Sequence, residues 1–204
     1  MSDAALRQPQ QDRSRLTRQR LLAAALECLA ELGWSGTTVQ LVAARAGVSR
    51  GAAQHHFPTR EALVSGAIAQ MREVRAAEMA EAAAALPPGR RRTGTVLEIL
   101  FGLYSGPVFR AALHLWVAAT ADGTLHDQVA PLEADLGRQA HGMALDLLRV
   151  DERQAGVRAT VQATLDLLRG LGLADLLTDD SRRRARVLRQ WARTLDTVLP
   201  EAAA

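Results

Sequence analysis

The sequence predicts an all-α protein: an N-terminal three-helix unit containing a helix-turn-helix, followed by about six further helices. Three observations carry this reading. Apolar residues recur every three or four positions almost throughout, as on one face of an α-helix, and no segment alternates convincingly with the period of two that marks a strand. Ala, Leu and Arg dominate while β-branched runs are scarce. Gly and Pro punctuate the pattern at helical lengths.

The elements follow in order. Leu22, Leu26, Leu29 and Leu32 form one stripe and Gly33 follows as a stop, which predicts a first helix from about Arg15 to Leu32. Thr37-Thr38-Val39-Gln40 has the Thr-x-x-Gln form of a capping box and opens a short helix ending near Ala46-Gly47. Ser49 caps another short helix, closed by Phe57-Pro58 because proline disfavours helical geometry in the residue before it. Thr59 caps a long helix running to Leu86, where Pro87-Pro88-Gly89 breaks it and the Arg90-Arg91-Arg92 run follows. Further helices fit about 93–104, 107–120, 124–149, 152–169 and 181–198, with Pro131 expected to kink or split the third of these.

Composition narrows the class. A chain of 204 residues with 48% hydrophobic and 23% charged residues can bury a core. Cys28 is the single cysteine, so no internal disulfide exists; it falls near the apolar stripe of the first helix and reads as a buried structural thiol. No apolar run reaches the roughly 18 residues of a membrane span, and the polar first twelve residues do not read as a signal peptide, so a soluble cytoplasmic protein with no membrane partner is expected. All 25 basic residues are Arg, against 22 acids. Eight of those Arg and only four acids fall in residues 1–60, leaving the remainder near balance. A basic module on a neutral body suits a nucleic-acid partner, and a solvated chance excess is the plainer alternative.

The stretch from Gly36 to Val64 carries the chemistry. Two short helices joined by a tight turn cross steeply, which requires a small residue at the contact, Ala43, and a residue tolerant of left-handed backbone in the turn, Gly47. Val39, Val42 and Val48 supply the apolar faces that hold the pair against the first helix. In such a unit the second helix enters the major groove. Here it runs from Ser49 to His56 and exposes Arg50, Gln54 and His55, with Gly51 and His56 as further candidate DNA contacts. Arg pairs with guanine through two hydrogen bonds, and Gln pairs with adenine. The hydroxyls of Thr37, Thr38, Ser49 and Thr59 and the cations of Arg15 and Arg60 are candidate phosphate contacts, with Arg13, Arg18 and Arg20 flanking. A helical hairpin in some unrelated α-protein, with solvated arginines, is the competing explanation.

Residues 15–66 resemble the TetR/AcrR family of transcriptional regulators. The resemblance rests on Gly33-Trp34, Thr37-Thr38-Val39, Ala43, Ala46-Gly47-Val48-Ser49, Gly51-Ala52, His55-His56-Phe57, Thr59-Arg60-Glu61 and Leu63. It implies that Trp34 packs the first helix on the helix-turn-helix and that Arg60 contacts phosphate. The family usually has a larger aliphatic where this chain has Ala53 and a Tyr where it has Gln54, so Gln54 becomes a base reader for a different operator. The resemblance further implies that residues 1–58 form the helix-turn-helix DNA-binding domain and residues 59–204 a helical effector-binding and dimerisation domain. The partners so implied are double-stranded operator DNA, a second copy of the chain and a small apolar or aromatic effector, with repression as the usual output.

Beyond residue 66 the candidates are broader. Phe101, Tyr104, Phe109 and Trp116 concentrate the aromatics of an aromatic-poor chain. Together with His114, His141 and Met143 they are candidates to line an effector pocket, or they are ordinary core. Val157, Val161, Leu165, Leu188, Trp191 and Leu195 form the stripes of the last two helices. Under the resemblance these pair with their twins in a dimer; a purely intramolecular core is the alternative. The Arg182-Arg183-Arg184 run reads as a solvated helix start paired with Asp179 and Asp180. His55 and His56 are adjacent and so diverge by about 100° on a helix. No metal ligand set, cofactor motif or catalytic arrangement is read in the sequence, which leaves a helical enzyme with a vestigial helix-turn-helix, or a dimeric regulator without an effector, as the rival readings.

Overall fold

The computed structural model describes residues 3–84, 86 and 92–199, and among these there is no strand. The helices are α1 (Asp3–Gly36), α2 (Val39–Arg45), α3 (Arg50–His56), α4 (Arg60–Ala84), α5 (Thr93–Phe101), α6 (Gly106–Ala119), α7 (Gly123–Leu148), α8 (Val157–Ala174) and α9 (Ser181–Val198), with a 3-10 turn at Gly102–Tyr104. The Pro87–Gly89 break and Arg90-Arg91 lie outside the described residues. None of these helices alone is long and apolar enough to cross a membrane.

Several boundaries differ from the sequence expectation, each for a physical reason. α1 starts well before Arg15, in a stretch of mainly Ala, Leu, Arg and Gln, good helix formers, that also carries Pro9. It also continues past Leu32, but Gly33 at φ 68, ψ −175 breaks it, and one further turn leaves in a new direction. That backbone region is essentially reserved for glycine. The cap of α2 is Thr38, not Thr37: the Thr38 hydroxyl accepts from Leu41 N–H at 3.2 Å. α7 runs through Pro131 without a split. α8 starts at Val157 rather than 152, after a turn that ends in Gly156 at φ 82, and it runs five residues further than expected. It can do so because Gly172 lies against the Tyr104 carbonyl, where any side chain would collide with backbone.

The chain forms two compact units. The first holds the N-terminal helices through Val74 together with Pro107–Val129. Its core joins Leu21, Leu22, Leu26 and Leu29 of α1, Val42 and Ala43 of α2, Ala53 of α3, Leu63 and Ala67 of α4, and Ala111 and Leu115 of α6. The second holds Arg75–Gly106 and the chain from Ala130 onward, with α5 packed on α8 and α9. Val96, Leu97, Leu100, Val161, Leu168 and Leu195 are buried in it.

In the first unit the crossing of α2 and α3 is as the sequence requires. Ala43 is buried at the contact, and Gly47 turns the chain at φ 65 while Val48 N–H donates to the Ala43 carbonyl at 2.9 Å. A side chain at position 47 would meet open space, so only the backbone penalty applies there. Gly47→Ala is therefore expected to destabilise the protein by about 1–2 kcal/mol, and Gly47→Asn by less, since Asn tolerates left-handed backbone. Urea unfolding followed by circular dichroism measures both.

Candidate nucleic-acid interface

The candidate reading surface is built from α3. Ser49 caps it by accepting from Ala52 N–H at 3.2 Å, and Phe57 closes it. Ala53 and Phe57 are buried, so the helix can present only its opposite side. Arg50, Gly51, Gln54 and His55 occupy that side and are exposed. At 3.6 residues per turn, positions 50, 51, 54 and 55 share one face. His56 turns aside, half-buried with its ring 6.5 Å from that of Phe57.

Three hydroxyls frame the face. Thr38, Ser49 and Thr59 are exposed, and each accepts a backbone N–H at a helix start, from Leu41, Ala52 and Ala62 respectively. A hydroxyl that accepts in this way keeps its own hydrogen and can donate it to a phosphate oxygen. Arg15 is exposed on α1, 3.9 Å from Asp12.

Two expected contacts are placed differently. Thr37 is fully buried and its hydroxyl donates to the Gly33 carbonyl at 2.8 Å, so it locks the break in α1 and has no path to a phosphate. Arg60 is half-buried: its guanidinium lies 3.8 Å over the Trp34 ring, donates to the Trp34 carbonyl at 3.3 Å and pairs with Glu61 at 3.6 Å. Trp34 does pack under the start of α4, and Arg60 is what clamps it. Two supports had no signal in the sequence, because each joins positions far apart: Arg45 pairs with Glu31 at 2.7 Å, tying α2 to α1, and Arg18 lies 5.3 Å over the Phe57 ring. Cys28 is fully buried, and loss of solvent pushes its thiol pKa up.

The chain matches the family of bacterial regulatory proteins, tetR family, over residues 21–67, which is α1 from Leu21 to the first turns of α4. It is 32% identical over 143 residues to the HTH-type transcriptional repressor AcnR of Corynebacterium diphtheriae, covering 65% of this chain and 73% of that one. The chain belongs to the TetR family. It is also 32% identical over 123 residues to the HTH-type transcriptional regulator CymR of Pseudomonas putida; that match spans 60% of this chain and 61% of the relative's length. Among solved structures it resembles the multidrug binding protein EbrR complexed with malachite green, at 26% identity and a TM-score of 0.59, covering 85% of this chain and 96% of that one. The all-α architecture with an N-terminal helix-turn-helix is that of this TetR-family fold.

The other expected site residues separate between the units. Phe101 and Tyr104 are buried in the second unit, where Arg184 lies 4.5 Å over the Phe101 ring and Arg169 lies 5.4 Å over that of Tyr104. Burial raises the Tyr104 pKa. Phe109 and Trp116 pack edge to face at 6.2 Å on α6 in the first unit, and His114 is exposed on the same helix. On α7, His141 bonds Glu152 at 3.0 Å and Met143 is half-buried. The interface set is corrected: Val157, Val161, Leu165, Leu188 and Leu195 are all buried within their own chain. The α8–α9 pair turns its main stripe inward, and only Trp191 of the six stays partly open. The arginine run pairs as Arg183 with Asp180 and Arg184 with Asp175, while Asp179 accepts from Ser181 N–H. Among the described residues no group of three or more His, Cys, Asp or Glu side chains is placed to hold a metal ion.

Arg50→Ala and Gln54→Ala are each expected to weaken binding to a cognate operator by about 1–3 kcal/mol while leaving scrambled duplex nearly unaffected. Arg60→Ala should instead lower thermal stability, by about 0.5–2 kcal/mol, since its cation is stacked on an indole. Fluorescence anisotropy with a duplex selected from a random pool separates the first effect, and calorimetry reads the second. Full discrimination by the Arg50 variant would remove it as a base reader.

Proposed function

We propose that this protein is a cytoplasmic, homodimeric transcriptional repressor that binds operator DNA through α3 and is released by a small apolar or aromatic effector. The observation that carries the DNA reading is the division of α3: Ala53 and Phe57 inward, Arg50, Gly51, Gln54 and His55 outward, on a helix set by a tight turn at Gly47. Arg15, Thr38, Ser49 and Thr59 supply the flanking backbone contacts. Residues 1–58 act on the operator, and residues 59–204 assemble the dimer and hold the effector. EbrR, solved with malachite green, supports an effector of aromatic character. Within the second unit, Phe101, Tyr104 and Met143 are the apolar candidates to meet such a ligand, with His141 as a polar one.

For the dimer, the supporting feature is the outer side of α8 and α9. Leu167, Arg186, Val187, Gln190 and Trp191 line a shallow, mainly apolar groove, and Leu173, Leu176, Leu177 and Val198 are exposed nearby in sequence. The Trp191 indole N–H donates to the Thr164 hydroxyl at 3.0 Å, which fixes the ring. A rigid Trp flanked by Arg is the composition that interfaces favour. A two-fold dimer would bind a near-palindromic site with half-sites about 34–36 Å apart or slightly more.

Trp191→Asp is expected to yield monomers in light scattering and to lower operator affinity, since each half-site then binds alone. A dimer persisting in this variant would remove Trp191 from the interface. The experiment that tests the whole reading is selection from a random duplex pool by the full-length protein, with affinity followed over a salt series. Enrichment of a palindrome, and a linear fall of log affinity with log salt, are the expected results. Malachite green titrated against free and operator-bound protein then tests release: an inducer that weakens DNA binding by about 1–3 kcal/mol must bind the complex more weakly by the same amount.

A further inference from the structure

We infer that His114 is a positioning residue for the helix-turn-helix: it holds α6 against the backbone break at Gly33 and so gives α6 a direct line to α2 that bypasses α4. This rests on reading the first unit as the DNA-binding one.

Gly33 is the single point where α1 leaves helical geometry, at φ 68 and ψ −175. A side chain there would begin 3.1 Å from His114 Nδ1 and 3.5 Å from its Cε1, so the imidazole already lies across the bare Cα. The ring is on the surface and Gly33 beneath it is buried. Several polar groups after the break are committed. The Gly33 carbonyl accepts from the Thr37 hydroxyl at 2.8 Å, and the Trp34 carbonyl accepts from Thr37 N–H at 3.2 Å and from Arg60 at 3.3 Å. Thr38 then caps α2. Residues 33–38 thus form a stiff bracket with three attachments: His114 of α6 at one end, Arg60 of α4 in the middle and the first turn of α2 at the other end.

α6 is itself seated in this unit. Ala111, Leu115 and Ala119, one turn apart, are buried in the core that also takes α1 to α4. The helix also carries the Phe109–Trp116 pair. A shift of α6 along its axis therefore moves the imidazole relative to Gly33. Because the Thr37 bonds tie the break to the residues that open α2, the displacement reaches the start of α2.

The test uses the full chain with two substitutions of an exposed residue. His114→Ala removes the contact, and His114→Asn restores a polar atom at the place of Nδ1. In DNA-free protein, hydrogen exchange at the Thr37 and Leu41 amides should quicken by about five-fold or more in His114→Ala, with an unchanged thermal midpoint, and stay near wild type in His114→Asn. Affinity for the selected operator should fall about five-fold or more in His114→Ala, with the same salt slope, and recover in His114→Asn. Unchanged exchange in His114→Ala, or operator affinity within about two-fold of wild type, overturns the inference. So does His114→Asn behaving like His114→Ala in both measurements. If wild type enriches no duplex while the exchange effect holds, the DNA reading fails and this contact stands.

Discussion

Neither of the two helices that make the reading surface can hold itself together. α2 and α3 have seven residues each, below the length at which a helix in water offsets its own nucleation. Their stability is borrowed from the core they share with α1, whose Leu21, Leu22, Leu26 and Leu29 are almost fully buried. Burying a Leu side chain contributes about 1.5–3 kcal/mol before the entropy of ordering is counted, so this stripe outweighs what any single cap or ion pair can supply. The caps at Thr38 and Ser49 define where the short helices begin, and Gly47 defines the angle between them. The core decides whether they exist.

The same core explains the rest of the unit. α4 approaches the core closely at Gly66, where a side chain would begin 3.1 Å from both Leu22 and Phe57. Gly66 is therefore a packing residue rather than a point of flexibility, with Leu22 of α1 and Phe57 against its bare Cα. α6 occupies another side of the core through Ala111, Leu115 and Ala119, small residues alternating with one large one. The consequence for function is that the pose of α3 depends on helices drawn from well outside residues 1–58. A ligand that acts on α6 already acts on the body that carries the reading face.

How much of this was legible in the sequence depended on how local the cause was. Ala43, Gly47, Ser49 and the Phe57-Pro58 stop act over a few residues, so the turn, both short helices and the outward set of α3 could be read directly. Thr37 and Thr38 show the limit: either could cap, and what decides is that Gly33 places its carbonyl within reach of the Thr37 hydroxyl, a geometry that spacing does not encode. Arg60 is placed by a similarly distant partner. A cation at a helix start suits a phosphate, but Trp34 lies 26 positions earlier and offers both an indole face and a carbonyl at the same place. The extension of α8 past 169 carries it through Gly172, whose bare Cα admits the Tyr104 backbone, a long-range contact that spacing does not encode.

The last two helices show why periodicity alone cannot separate a core from an interface. Both uses need apolar residues every three or four positions, and Val157, Val161, Leu165, Leu188 and Leu195 satisfy either. The structure turns these five inward, into the core of the second unit, where α5 packs on both helices. What can then meet another chain is only the shoulder of the stripe, and there the residue types change. Leu167, Val187 and Trp191 alternate with Arg186 and Gln190, a mixture of apolar surface and long polar side chains that an obligate core avoids. The Trp191–Thr164 bond is the telling detail. An indole that only filled a core would need a partner for its N–H, and Thr164, itself bonded to the Thr160 carbonyl at 2.8 Å, provides one. The ring is still only partly buried after that need is met. A satisfied, immobilised and half-open Trp loses little further entropy when a partner covers it, which is the property expected of an interface anchor.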